Sequence, residues 1–159
     1  MKISRPNRIT RSYTQTLVAP PEKVMPLLCP VMEAEWIEGW DPVVVLTDSG
    51  VVEPGCVFVT EAEPENAVWF VTEHDVTNGR VEMVKITPGV TACKLTIDVR
   101  SNGQGSDADV CYSYTSLGPV GDAFITAFTE EHYLQSMQDW EARINHYLLN
   151  GNMLISNSL

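Results

Sequence analysis

Between residues 41 and 117 the chain falls into short runs rich in Val, Ile, Thr, Tyr, Phe and Trp, several with apolar and polar residues in alternation and each bounded by turn formers. A period of two sends successive side chains to opposite faces of a strand. The runs 42–47, 56–62, 67–74, 80–87, 91–100 and 107–117 therefore predict six strands. Asp48-Ser49-Gly50, Glu63-Pro64-Glu65-Asn66, Asn78-Gly79, Pro88-Gly89 and Asn102-Gly103-Gln104-Gly105 separate them and supply the Gly, Asn and Pro that tight turns need. Consecutive strands joined in this way form an antiparallel meander. Residues 8–18, rich in Thr, Ile, Tyr and Val, predict one further strand ahead of it, with Arg11 and Gln15 blurring the alternation.

Helical signals lie on either side of the meander. Pro20, Pro21 and Glu22 suit a first helical turn, and Pro26 and Pro30 keep the helix they open short. A second short helix is expected over 31–39, ending at Gly39. After Gly118-Pro119 the spacing of apolar residues changes to three, four and seven, and 121–149 has no Gly or Pro beyond its first residue. This predicts a single helix of about 28 residues, about 42 Å long. Phe124, Ala127, Phe128, Leu134, Met137, Ile144 and Leu148 draw one apolar stripe along it, and the sheet is the only surface large enough to cover that stripe. The expected organisation is a tail over 1–7, one domain over 8–150, and a frayed tail over 151–159 after Gly151 closes the helix.

Composition narrows the function classes. A length of 159 residues suits one domain with a full core. A net charge of −11 disfavours nucleic acid, whose binding rests on neutralising phosphates with Lys and Arg. The amino end carries charges but no apolar leader, and no apolar run reaches the roughly 20 residues of a membrane helix. A cytoplasmic protein without integral membrane association is expected. Cys29, Cys56, Cys93 and Cys111 show no metal-site spacing and read as free thiols, so neither metal nor cofactor is expected.

The order of strand, two short helices, six strands and long helix resembles the SRPBCC superfamily. Its members include START lipid-binding domains, plant hormone and allergen proteins, and polyketide cyclase/dehydrase-like bacterial proteins. The residues that carry the resemblance are Val18-Ala19-Pro20-Pro21-Glu22-Lys23-Val24, Trp36-Ile37-Glu38-Gly39-Trp40-Asp41-Pro42, and Trp140-Glu141 through Tyr147-Leu148. The stretch from Val81 to Gly89 is similar to a small bacterial branch of that superfamily. The resemblance implies an α+β helix-grip fold, in which a curved seven-stranded antiparallel sheet wraps around the C-terminal helix and encloses a cavity. It also implies binding of a lipid, hormone or polyketide, often without catalysis.

In such a fold Trp36, Trp40, Phe58, Trp69, Met83, Tyr112, Tyr114, Phe124, Phe128 and Leu134 would surround one interior, with Glu131 beside Phe128. For any single ring, ordinary core packing is the simpler account. Tyr112 and Tyr114 share a strand face with Val110 and are expected to point inward. Candidate proton-transfer groups are Glu131, Glu141, His74 and His132, since a carboxyl in apolar surroundings has a raised pKa and His titrates near neutrality. Each carboxylate also has an ordinary alternative at the edge of the stripe, in water or paired with Arg11 or Lys94. No zinc-helix motif, nucleophile elbow, phosphate loop or dinucleotide fingerprint is present. Three functions stay open: binding of a small hydrophobic molecule, a cyclase/dehydratase-like enzyme working by proton transfer, and a protein-interaction domain, with room for a homodimer.

Overall fold

The computed structural model describes residues 1–156. The elements run β1 (Arg8–Leu17), α1 (Pro21–Val24), two 3-10 turns (Met25–Leu27 and Met32–Glu35), β2 (Val44–Leu46), β3 (Val57–Thr60), β4 (Ala67–Asp75), β5 (Arg80–Thr87), β6 (Thr91–Ser101), β7 (Ser106–Ser116), α2 (Pro119–Ala127) and α3 (Glu130–Asn150). All seven strands form one sheet in the order β1-β7-β6-β5-β4-β3-β2, antiparallel throughout. The meander follows from its turns, and β1 crosses over to pair with the last strand. The sheet curls so that its inner face, the short helical turns and α3 enclose the interior.

The long helix expected over 121–149 is two helices. Phe128 leaves helical geometry (φ −81°, ψ 64°), and Thr129 turns extended and caps α3, its hydroxyl accepting from the His132 N–H at 3.1 Å. Glu130 and Glu131 follow in the first turn, where the helix dipole favours acids. The break resets the helical phase. Tyr133, Met137 and Ile144 are the buried residues of α3, while Leu134, expected on the stripe, is 40% exposed.

Pairing register sorts the inner face into rows. Phe58, Trp69, Lys85, Cys93 and Tyr114 oppose one another across β3, β4, β5, β6 and β7. Val71, Met83, Leu95 and Tyr112 form the next row. On the outer face two further rows cross β2 to β5: Val44, Val59, Val68 and Ile86, then Leu46, Val57, Phe70 and Val84. Val44, Leu46, Val68, Phe70 and Ile86 are all exposed, so this outer corner is apolar and open.

The two edges of the sheet differ. The free edge of β1 is engaged by α3: Thr16 N–H donates to Glu141, Val18 N–H donates to Asn145 Oδ1 at 3.0 Å, and Asn145 Nδ2 donates to the Thr16 carbonyl at 2.9 Å. At the carboxyl end, Arg143 donates to the Leu154 carbonyl and the Ser156 hydroxyl, both at 3.1 Å, and Ser156 N–H donates to Glu38 at 2.9 Å. Of the tail expected over 151–159, residues 157–159 lie outside the described residues.

Candidate functional site

A cavity of about 390 Å³ lies between the inner face of the sheet, the turn at Met32–Glu35 and α3. Its walls are mostly rings. Phe58 stacks on Trp69 at 5.2 Å, and Trp40 meets the edge of Phe58 at 6.2 Å. Tyr112 stacks on Tyr114 at 6.1 Å, with Tyr133 edge-on to Tyr112 at 5.9 Å. Leu28, Ile37, Met83, Leu95, Ile97, Phe128, Met137 and Trp140 complete the apolar lining. Exposed Ser136 and Asp139 also border the cavity and mark its rim. There Arg143 is held by Asp139 (2.8 Å) and Glu38 (3.6 Å).

Three polar groups interrupt the apolar wall. Glu33 comes from the second 3-10 turn, whose backbone is fixed by Glu33 N–H donating to the Cys29 carbonyl at 2.8 Å. As a cavity-lining residue it keeps part of its surface accessible, but protein surrounds its carboxyl, and loss of hydration raises its pKa to about 8. No side-chain hydrogen bond or ion pair reaches that carboxyl among the described residues.

Lys85 stands in the ring-rich row of the sheet, its Nζ 4.8 Å from the centre of the Trp69 ring and 5.8 Å from that of Tyr114. It donates a long hydrogen bond, 3.5 Å, to the Tyr114 hydroxyl. Among the described residues no carboxylate lies within ion-pair distance of it, and burial lowers its pKa. The third group is the Tyr112 hydroxyl, pushed well up by burial, with further contributions from its neighbours Tyr114, Cys93, Glu33 and Tyr133. By contrast Tyr133 is satisfied within the protein, donating to the Val110 carbonyl at 2.6 Å.

Of the residues singled out from sequence, Trp40, Phe58, Trp69, Met83, Tyr112, Tyr114 and Phe128 meet around this cavity. Trp36 sits one layer behind. It is fully buried, donates from Nε1 to the Leu27 carbonyl at 3.1 Å, and stacks on Trp140 at 5.8 Å. Phe124 likewise backs the wall, 4.7 Å from Tyr114. Glu131 and Leu134 lie on the outer side of α3 because of the phase change at Thr129.

The four proposed proton-transfer groups are placed elsewhere. Glu131 and His132 are exposed. Glu141 is consumed by Tyr13, which donates to it at 3.0 Å, and by the Thr16 N–H, so it fastens α3 to β1. His74 Nε2 lies 3.2 Å from the Met25 carbonyl beneath the short helices, where burial lowers its pKa. Titratable groups that do line the cavity include Glu33, Lys85, Tyr112, Tyr114 and Tyr133, with Asp139 and Arg143 at its rim. Alternation carried a signal for Lys85, which must share the strand face of Met83.

No family model matches the chain, and no curated protein matches it. Solved structures do. Norcoclaurine synthase from Thalictrum flavum, in complex with dopamine and hydroxybenzaldehyde, is similar over 94% of this chain and 95% of its own, with a TM-score of 0.66 and 13% identity. Ara h 8.0201 is similar over 90% of this chain and 99% of its own (TM-score 0.60, 14% identity). A protein from Rhodobacter sphaeroides is similar over 88% and 91% (TM-score 0.65, 14% identity). Identities this low speak for architecture alone. Together with the seven-stranded antiparallel sheet closed by its C-terminal helix, they place the chain in the Bet v1-like helix-grip fold.

Proposed function

We propose that the chain binds one small, mostly apolar molecule, an aromatic, a polyketide or a lipid, inside this cavity. The observation that carries the reading is the cavity itself: about 390 Å³ walled by stacked rings and interrupted by the polar groups of Glu33, Lys85 and Tyr112, none of them in an ion pair among the described residues. That volume is within the usual range for ligand sites, and the mixture of broad apolar walls with a few convergent polar groups is typical of them. Among the three ligand classes, the paired rings of Phe58 with Trp69 and Tyr112 with Tyr114 favour a flat aromatic body. Norcoclaurine synthase, whose fold is similar, has been solved holding two small aromatics. Native mass spectrometry of the protein purified from its own cells should show a stoichiometric passenger, and Trp69→Ala should lose it. A chain that stays empty, both as purified and after exposure to aromatic, polyketide and lipid mixtures, would overturn the reading.

A second reading rests on the open apolar corner of the sheet. We propose that a second copy of the chain docks there. The two rows from Val44 to Ile86 and from Leu46 to Val84 carry no charge, although the molecule has a net charge of −11. Another copy of the same neutral surface complements it better than a charged partner does. The patch is of the order of a few hundred Å², less than the roughly 800 Å² per partner of a standard interface, so the association is weak. Light scattering should show a concentration-dependent dimer that Phe70→Asp abolishes; a monomer at every concentration would end this reading.

A further inference from the structure

We propose that Lys85 is a nucleophile that captures an aromatic aldehyde or ketone in the cavity as a covalent imine. The inference rests on the small-molecule reading above and adds a chemical class and a reaction to it.

The case begins with placement. Lys85 is the one cation in a cross-strand row otherwise made of Phe58, Trp69, Cys93 and Tyr114, and its amine borders the cavity. A surface lysine is solvated or paired, as Lys94 is with Glu82 at 3.3 Å. Lys85 has no carboxylate within reach among the described residues, only the Tyr114 hydroxyl and two ring faces. The other cation that borders the cavity, Arg143, is occupied by Asp139, Glu38, Leu154 and Ser156.

An unpaired buried ammonium can be relieved by an anionic ligand or by loss of its proton. The surroundings disfavour the anion. The chain carries a net charge of −11, and the carboxylate of Asp139 stands at the rim of the cavity. Burial moves Lys85 in the direction of the free amine, the form that attacks a carbonyl. The aromatic walls would hold a ring-bearing carbonyl compound against Nζ, which supplies the proximity that a reversible addition needs.

The step balances without an oxidant or reductant. The Nζ lone pair forms a bond to the carbonyl carbon and the carbon–oxygen π bond breaks, giving a carbinolamine. The two protons of the amine pass to that oxygen, which leaves as water, and a carbon–nitrogen double bond remains. Proton-bearing groups are at hand in the Tyr114 hydroxyl, 3.5 Å from Nζ, and the Glu33 carboxyl on the same cavity.

The test uses naphthaldehyde as the carbonyl probe, naphthylmethanol as a ligand of nearly the same shape that cannot form an imine, and cyanoborohydride to reduce any imine to a stable amine. Peptide mass mapping should place one adduct on Lys85, formed at least tenfold faster than on the exposed Lys2, Lys23 and Lys94. Lys85→Met and Lys85→Arg should both lose it. Calorimetry should show the wild type binding the alcohol, and circular dichroism should show Lys85→Met and Lys85→Arg folded as the wild type is. Adducts spread evenly over the exposed lysines, with the alcohol still bound, would overturn the imine and leave the binding reading intact. If neither probe binds, the imine falls together with the aromatic-ligand reading on which it rests.

Discussion

A glutamate in water ionises near pH 4.5, whereas burial holds the proton of Glu33 until about pH 8. The folded protein therefore binds this proton more tightly than the unfolded chain does. Its contribution to stability is fully present below pH 4.5, falls as the pH rises towards 8, and is constant above that. The loss amounts to a few kcal/mol for a shift of this size. Urea unfolding between pH 4.5 and 8.5 should show this decline in the wild type and a flatter profile in Glu33→Gln; parallel profiles would mean that the carboxyl is hydrated. Cys93 illustrates the same physics on the sheet, its thiol pushed up to about 11 by burial, which makes it a poor nucleophile. At this scale the sequence was partly legible. Tyr112 and Tyr114 could be assigned to the interior because alternation sets strand faces, whereas the strand of Trp69 is apolar on both faces and alternation could not choose between them. Glu33 could not be assigned, because it lies on a single 3-10 turn whose orientation is set by packing and not by any period along the chain.

The boundary between α2 and α3 shows how one side chain redirects an element. Thr129 supplies the cap that starts α3, so Thr129→Ala should cost about 1 kcal/mol, read as a lower urea midpoint. A Thr followed by two acids inside an apolar-periodic stretch is a helix-start signal, and it was present in the sequence. Reading through it placed Leu134 and Glu131 on the inner side beside Met137, where Tyr133 belongs. Gly121 has a different constraint. A Cβ there would run into the Val90 carbonyl, so α2 can approach the turn between β5 and β6 only because this residue has none. Gly121→Ala is expected to destabilise the protein by about 1–3 kcal/mol. A thermal melt decides it, since an unchanged midpoint would show that α2 can shift outward freely. The strands were predicted most accurately for β5, which coincides with the run 80–87, whereas β2 and β3 are each three residues shorter than the runs 42–47 and 56–62.

Over the whole molecule, the order of elements was enough to anticipate the helix-grip architecture, because five hairpin turns and one crossover leave few other ways to cover the final helices. What the order could not supply is which outward-facing residues stay uncovered. The strand at Ala67–Asp75 is apolar on both faces; one side meets the cavity and the other remains open at Val68 and Phe70. A further property follows from where the indoles lie. The chain has four tryptophans, and Trp40, Trp69 and Trp140 line the cavity while Trp36 stacks directly on Trp140. Almost all of the intrinsic ultraviolet emission of this protein thus originates at one place, and none of it from a distant surface indole. The molecule carries its own optical gauge of cavity occupancy, so filling, emptying or flooding with water can be followed in real time without attaching a dye.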